Sequence, residues 1–406
     1  MNRIVRVAIL FSLIFIFRVF KAKYVSPHLR NCPNPGIAET VRIARAPPNF
    51  KALVTGAAGF IGSHVASDCL KLGFEVVAVD DMSGGFRRNV PKGVRLVVGD
   101  LKDAAFVSKL MEKEKFDVVY HLAAYAAEGL SHFIRNYNYQ NNLLATTNII
   151  TQSVRIGTVK KFVFTSSIAV YGSGRTPMTE DMEPLPEDPY GISKLACEYD
   201  LKAAYEMFGL PYVIFRPHNV YGPGQNMYDK YRNVVGIFLN QLQVGKRLTI
   251  FGDGYQTRKF SYISDVSLPI ALSGVLDHTN NQVFNVGGDI ATTVNELARV
   301  TAEAWDGSSA NVLHLDARNE VAHAESDHKK LNCFFPGLPK PVGLRAGMSR
   351  MVTWAKETGR YFEPVKFDAV EVMQKLPRSW MTDGLKEVPA FVHNEKDNVI
   401  DAELSK

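Results

Sequence analysis

The stretch PEDPYGISKLACEYD, residues 186–200, places Tyr190 four positions before Lys194, just where a helical pattern begins. On a helix the two side chains share one face, a turn apart. A free tyrosine titrates at about 10. An ammonium beside it favours the phenolate and lowers that value, so the phenol can serve as a general base near neutral pH. The plainer alternative is an aromatic at a helix start, packed on the preceding Glu-Asp-Pro turn.

A second group of residues suits phosphates. TGAAGFIG, residues 55–62, holds Gly56, Gly59 and Gly62, with Phe60 and Ile61 between the last two. Glycines between a strand and a helix allow a tight turn and a close backbone approach to a pyrophosphate. The helix N-terminus adds free N–H groups and partial positive charge. The spacing is G-x-x-G-x-x-G. Asp80 ends the next strand, 18 residues past Gly62. A carboxylate there accepts hydrogen bonds from a ribose 2′-hydroxyl and repels a 2′-phosphate, which favours NAD over NADP. Asp100, in Gly99–Asp100, follows the third strand. It suits either an adenine-edge contact or a helix cap for LKDAAF.

The elements that must position these residues are legible as Val-rich runs. KALVT, FEVVAVDD, GVRLVVGD, FDVVYHLAA and KKFVFTSS read as strands, with helical patterns such as FVSKLMEKE and LLATTNIITQSVRIG between them. Continuous apolar strands alternating with helices predict a parallel sheet covered on both faces. With right-handed crossovers this is an α/β, doubly wound, Rossmann-type sheet. After about residue 220 the alternation becomes irregular, and a smaller C-terminal substrate-binding domain over the strand ends is expected. The 406 residues suit one large domain or two packed ones. A net charge of +6 without a basic, aromatic-laced run argues against nucleic-acid binding. The four cysteines, Cys32, Cys69, Cys197 and Cys333, are far apart and form no CxxC pair. Isolated thiols are expected, with neither a disulfide framework nor a metal site.

The N-terminus differs from the body. Residues 4–20, IVRVAILFSLIFIFRVF, are apolar apart from Arg6 and Arg18. No small-residue cleavage site follows, so an uncleaved signal anchor is favoured over a cleaved peptide. The flanking positive charges nearly cancel and leave the orientation open. The expected organisation is an anchor at 1–23, a Pro-rich stem at 24–50, an NAD-binding domain at 51–216, a substrate-binding domain at 217–381 and a tail at 382–406. The expected location is a single-pass membrane protein of the endoplasmic reticulum or Golgi, or cytoplasmic if the segment is no anchor.

The motifs TGAAGFIGS, VVAVDD, GDL, HLAA, TSSIAVYG, YGISK, RPHNVYGPGQ and GDGYQTRKFSYISDV occur in series. From about Lys51 to about Met381 the chain resembles the extended short-chain dehydrogenase/reductase family, most of all its UDP-glucose 4-epimerase type. The resemblance implies NAD as cofactor, a UDP-sugar as substrate and C4 epimerisation through a 4-keto intermediate. It implies Ser167, Tyr190 and Lys194 as catalytic residues, with Ser166 the lesser candidate. It lays Leu101 and Ala123, with Asp100, along the cofactor. It assigns Asn219, Arg258 and Arg318 to the substrate diphosphate, where a guanidinium fork matches phosphate oxygens. Surface salt bridging is the alternative for both arginines. His218 reads as structural. The helices near 132–156 and 190–208 imply a homodimer.

Two departures bear on the sugar. Ala126 stands where bacterial relatives carry a lysine, with Glu128 close by to touch the sugar or cap a helix, and Ala324 falls at the position that gates the sugar pocket. The alternatives are a dehydratase or decarboxylase, an epimerase of UDP-xylose/arabinose or UDP-glucuronate, and a non-catalytic NAD-binding sensor. Dehydration needs a carboxylate just after the catalytic serine, where this chain has Ile168 and Ala169.

Overall fold

The computed structural model describes residues 32–33, 37–173, 176–229, 231, 233–317, 323–358, 370–377 and 380. The apolar segment 4–20, Arg318 and the tail 382–406 lie outside the described residues. Among the described residues no helix is long and apolar enough to cross a membrane.

Seven parallel strands form the central sheet: β1 (Lys51–Thr55), β2 (Glu75–Asp80), β3 (Arg95–Val98), β4 (Val118–His121), β5 (Lys161–Thr165), β6 (Tyr212–Pro217) and β7 (Gln282–Val286). Their order is β3-β2-β1-β4-β5-β6-β7. The chain runs outward from β1 in one direction, then crosses back to β4 and runs outward in the other. The expected doubly wound Rossmann-type sheet is therefore present. The reversal between β1 and β4 opens a crevice at the strands' C-terminal ends.

Both faces of the sheet are buried. Val54, Ala78 and Val163 point into one core with Val65 and Cys69 of helix α1 (Phe60–Leu72). Leu53, Val77 and Phe162 point the other way. There they meet Val107 of α2 (Ala104–Glu114), Ile149 of α3 (Ala145–Ile156) and Leu201 of α4 (Pro189–Phe208). Alternation of apolar residues to two cores explains why the strands read as unbroken Val-rich runs.

Past β6 the elements shorten. Leu248–Phe251 pairs in parallel with Val312–Leu315, and Thr257–Lys259 sits between Ala291–Thr293 and His323–Ala324. The chain re-enters the main sheet through α5 (Ile263–Ser273), which packs on α1, and then β7.

One expectation is corrected. Cys32 and Cys333 are joined in a disulfide across 301 positions, with Cα atoms 5.8 Å apart. That separation lies within the range a disulfide spans. No local spacing marks the pair, because the fold alone brings the segment before helix Ala38–Ile43 onto helix Lys329–Phe334. Cys69 and Cys197 are buried free thiols, as expected.

Candidate active site

A cavity of about 460 Å³ lies over the crevice. Gly56, Gly59, Phe60, Ile61 and Gly62 line it. Gly56 has φ +66, and a Cβ there would lie 2.8 Å from Ala123 Cα. A Cβ on Gly62 would meet the Gly56 carbonyl oxygen at 2.1 Å. The loop is thus folded against its own helix and against the end of β4, with no room for side chains. Gly59 caps α1 without a side-chain hydrogen bond, so the first N–H groups face the cavity side unblocked.

Thr55 and His121 lock this loop to the next one. Thr55 Oγ1 accepts from the backbone N–H of Leu122 and Ala123, each at 3.1 Å, and donates to His121 Nδ1 at 2.8 Å. His121 Nε2 donates to Thr146 Oγ1 at 2.8 Å, and that hydroxyl donates to the Asn142 carbonyl. Burial pushes His121 down to about 3, so the ring is a neutral strut. Sequence reading missed this array. The threonine before Gly56 and the histidine before Leu122 were visible, but their contact crosses 66 positions.

Asp80 sits at the end of β2 and lines the cavity. Its carboxylate accepts from the Ala58 N–H at 3.0 Å and the Met82 N–H at 2.8 Å. Two bonds leave further lone pairs for a ribose. Burial raises its carboxyl above the usual range, against those two backbone donors. Asp100, Leu101 and Ala123 also line the cavity. The helix cap of LKDAAF is Asp103, which accepts from Ala105 and Phe106 N–H. Asp100 instead accepts from the Lys102 N–H and pairs with its ammonium at 3.1 Å.

The Tyr190–Lys194 pair begins α4 for local reasons. Asp188 is the N-cap, accepting from the Gly191 N–H at 3.0 Å, and Pro189 takes the first helical position. Lys194 is buried and donates to the Thr165 carbonyl at the end of β5, at 2.8 Å. Its Nζ stands 5.9 Å from the centre of the Tyr190 ring. Burial pushes Lys194 down to about 8, against the opposing pull of Cys197 and Glu198. Tyr190, Lys194 and Ser167 all line the cavity. Ser167 caps the turn Ile168–Tyr171, accepting from the Ala169 N–H at 3.1 Å. Ser166 donates to Glu198 at 2.6 Å, and Glu198 forms a buried pair with Arg216. Ser166 lines the cavity as well, with its hydroxyl engaged in that network.

On the substrate side Asn219 lines the cavity at φ +39 and donates to the Lys259 carbonyl at 3.3 Å. Glu128 and Ala126 line it too. Glu128 starts the short helix Glu128–Ser131, just after its N-cap residue Ala127. Arg258 is not brought to the cavity. It lies on Thr257–Lys259, paired in register with Thr292 and Ala324, and donates to the carbonyl of Thr257. Ala324 stands beside it and likewise does not line the cavity. Sequence reading missed Tyr125, Tyr137 and Tyr231, which wall this end. Tyr231 packs on Trp380, from the far end of the chain, with ring centres 5.3 Å apart. No local signal marks that contact.

Residues 52–287, more than half of the chain, match the model of the NAD dependent epimerase/dehydratase family. The chain is 31% identical over 312 residues to a putative UDP-glucose 4-epimerase of Methanocaldococcus jannaschii, covering 76% of this chain and 99% of that one. Among solved structures it resembles the UDP-glucose 4-epimerase of Thermotoga maritima with UDP-glucose. That match has TM-score 0.70 and 31% identity, and covers 76% of this chain and 99% of the other. It also resembles the UDP-glucuronic acid 4-epimerase of Bacillus cereus in complex with UDP-glucuronic acid and NAD, at TM-score 0.69 and 30% identity, covering 76% of this chain and all (100%) of that one. With its glycine loop, its paired tyrosine and lysine and its sheet order, the chain belongs to the NAD dependent epimerase/dehydratase family.

Proposed function

We propose that this protein is an isomerase: an NAD-dependent 4-epimerase of UDP-sugars of the UDP-glucose/UDP-galactose type. The observation that carries the reading is Ser167, Tyr190 and Lys194 lining one cavity with the glycine loop. That loop fits a dinucleotide, because Gly56 and Gly62 let it fold tightly against Ala123 and its own helix, so that its backbone lines the cavity at the α1 N-terminus. The glycine loop and the α1 N-terminus hold the pyrophosphate, and Asp80 takes the ribose hydroxyls. When bound, NAD supplies the hydride acceptor and donor for C4. Lys194, held by the Thr165 carbonyl, orients the nicotinamide ribose and lowers the pKa of Tyr190 by its charge. Tyr190 takes the C4 hydroxyl proton, and Ser167 orients that hydroxyl. The 4-keto sugar turns over while Asn219 holds the diphosphate. Tyr190 would then return the proton to the C4 oxygen of the turned sugar, whose opposite face would now lie toward the cofactor.

The carboxylates lining the cavity among the described residues are Asp80, Asp81, Asp100 and Glu128. None lies on the Ile168–Tyr171 turn. This favours epimerisation over dehydration, which needs a proton donor there. The test is a panel of UDP-sugars resolved by chromatography, with NADH absorbance followed in parallel. Interconversion without NADH release is expected. Stoichiometric NADH, a dehydrated product or no turnover with NAD bound would each overturn it.

The same reading includes a homodimer and a membrane anchor. Ile192 and Tyr199 of α4, with Leu144 just before α3, are exposed apolar side chains suited to a partner helix pair. A monomeric mass by light scattering would count against the dimer. The Cys32–Cys333 bond belongs in an oxidising compartment. Joined to the apolar segment 4–20, it supports a single-pass anchor with the body on the lumenal side of the endoplasmic reticulum or Golgi. Release of the full-length chain by carbonate washing would sink the anchor.

A further inference from the structure

On the substrate side, where His218 lines the cavity, begins a line of hydrogen bonds that the mechanism does not use. His218 Nδ1 faces the Lys259 carbonyl at 2.8 Å. His218 Nε2 faces His328 Nε2 at 3.0 Å, the rings stacked with centres 5.1 Å apart. His328 Nδ1 faces the Asp289 carboxylate at 2.7 Å. A carbonyl and a carboxylate only accept, so both Nδ1 atoms carry protons. The contact between the two Nε2 atoms needs one more. The line is complete only with three protons on four nitrogens, one more than two neutral imidazoles hold.

We infer that His218 and His328 share three ring protons, and that this charged pair, anchored on Asp289, positions Asn219 for a nucleotide-sugar diphosphate. The inference rests on the UDP-sugar reading for its ligand. The Lys259 carbonyl accepts from both His218 Nδ1 and Asn219 Nδ2, so what tethers the one steadies the other. The rings have little freedom: a Cβ on Gly287 would lie 2.4 Å from His218 Nε2. Burial, then His328, pushes His218 down to about 3. The hydrogen bond from His328 holds the Asp289 carboxyl below its usual range. The other charged group facing the pair is Lys259, whose ammonium is turned to the Ser326 carbonyl at 2.9 Å. Asp289, at the outer end of the line, is exposed.

If that proton leaves, two Nε2 lone pairs face each other at 3.0 Å. Ser326 Oγ, also 3.0 Å from His328 Nε2, can cover one of them, and His218 Nε2 remains bare in a buried site. The link between residues 218 and 328 then opens, and the grip of Asn219 loosens as pH rises.

The test pairs two measurements on the full chain with NAD. Nitrogen-15 resonances of histidine count the ring protons against pH, and calorimetry follows UDP-glucose affinity over the same range. UDP-glucose is chosen because its diphosphate does not titrate near neutrality. Affinity should fall up to about tenfold as the pair loses its third proton, the effect of one buried hydrogen bond. Asp289→Asn should move both transitions to lower pH together, and His328→Gln, whose amide donor does not titrate, should flatten the affinity profile. A pair with two protons throughout, a flat wild-type affinity or an unmoved Asp289→Asn midpoint would overturn the inference. A chain that binds no UDP-glucose at any pH fails the nucleotide-sugar reading itself, whereas one that binds it equally at every pH fails only this inference.

Discussion

Gly56 and Asn219 occupy matching places, each just past a sheet strand, each at the cavity and each at positive φ, +66 and +39. Gly56 is held by backbone alone. Its N–H donates to the Val79 carbonyl at 2.8 Å, and its own carbonyl accepts from Gly59 at 3.1 Å. Asn219 has one backbone bond, its carbonyl accepting from the Ser261 N–H at 3.1 Å, and is otherwise held by side chains: its own amide on Lys259, and its neighbour His218 on Lys259 and His328. A site made by backbone geometry tolerates few substitutions and does not titrate. A site made by side chains can be retuned residue by residue, and it can answer to pH. In a nucleotide-sugar enzyme the common cofactor falls to the first kind and the variable sugar to the second.

The most damaging change should come where the two halves meet. Tyr190→Phe keeps the ring and removes the proton acceptor. Turnover of UDP-glucose should drop by about 10² to 10⁴, roughly 3 to 5 kcal/mol of barrier, with NAD affinity and folding unchanged. Steady-state kinetics beside NAD calorimetry reads both, and a loss of NAD binding would blur the division.

The backbone half is broken by a single methyl. Gly62→Ala places a Cβ on the Gly56 carbonyl, at 2.1 Å before relaxation. Stability should fall by about 1 to 3 kcal/mol, as overpacking does, and NAD affinity with it. Denaturant unfolding with and without NAD measures the pair. An unperturbed variant would show that the loop is softer than its geometry.

A smaller effect should appear with pH. Lys194 is depressed to about 8 by burial, from about 10.4 in a free side chain. Below about pH 8 the buried ammonium is present and costs stability. That cost falls away as pH rises from about 8 toward 10.4, so this group's contribution to stability improves with pH. Catalysis needs the charge and should move the other way, kcat declining above about pH 8. A kcat flat to pH 10 would remove Lys194 from the proposed role.

The mildest change should be at the edge farthest from the chemistry. Cys32→Ser should free the 32–43 segment to limited proteolysis, lower Tm by a few degrees and leave kcat alone. Thiol labelling under non-reducing conditions checks whether the Cys32–Cys333 bond forms.

Much of the cofactor half was legible before any coordinates. Strand, glycine turn and helix lie within a few residues of one another, and Asp80 follows at the reach of one βαβ crossing. The Asp188–Pro189 start of α4 is equally local, so the shared face of Tyr190 and Lys194 follows from helical geometry. The substrate half was legible mainly as motif. Asn219 reaches the cavity and Arg258 does not: Arg258 sits on a strand paired on both sides, with Thr292 and Ala324, and that pairing is not written in the motif.

The sequence by itself determined the elements whose physics is local: Val-rich strands, capped helices, and turns that only glycine can make. Tertiary structure alone decided the rest. It drew Ser166 to Glu198, 32 positions away, beside the Ser167 that the motif already favoured. It joined Cys32 to Cys333 across 301 positions and set His218 against His328 across 110. These contacts are chosen by the packing of whole elements, and no periodicity along the chain encodes which far residue will arrive within 3 Å of a given nitrogen.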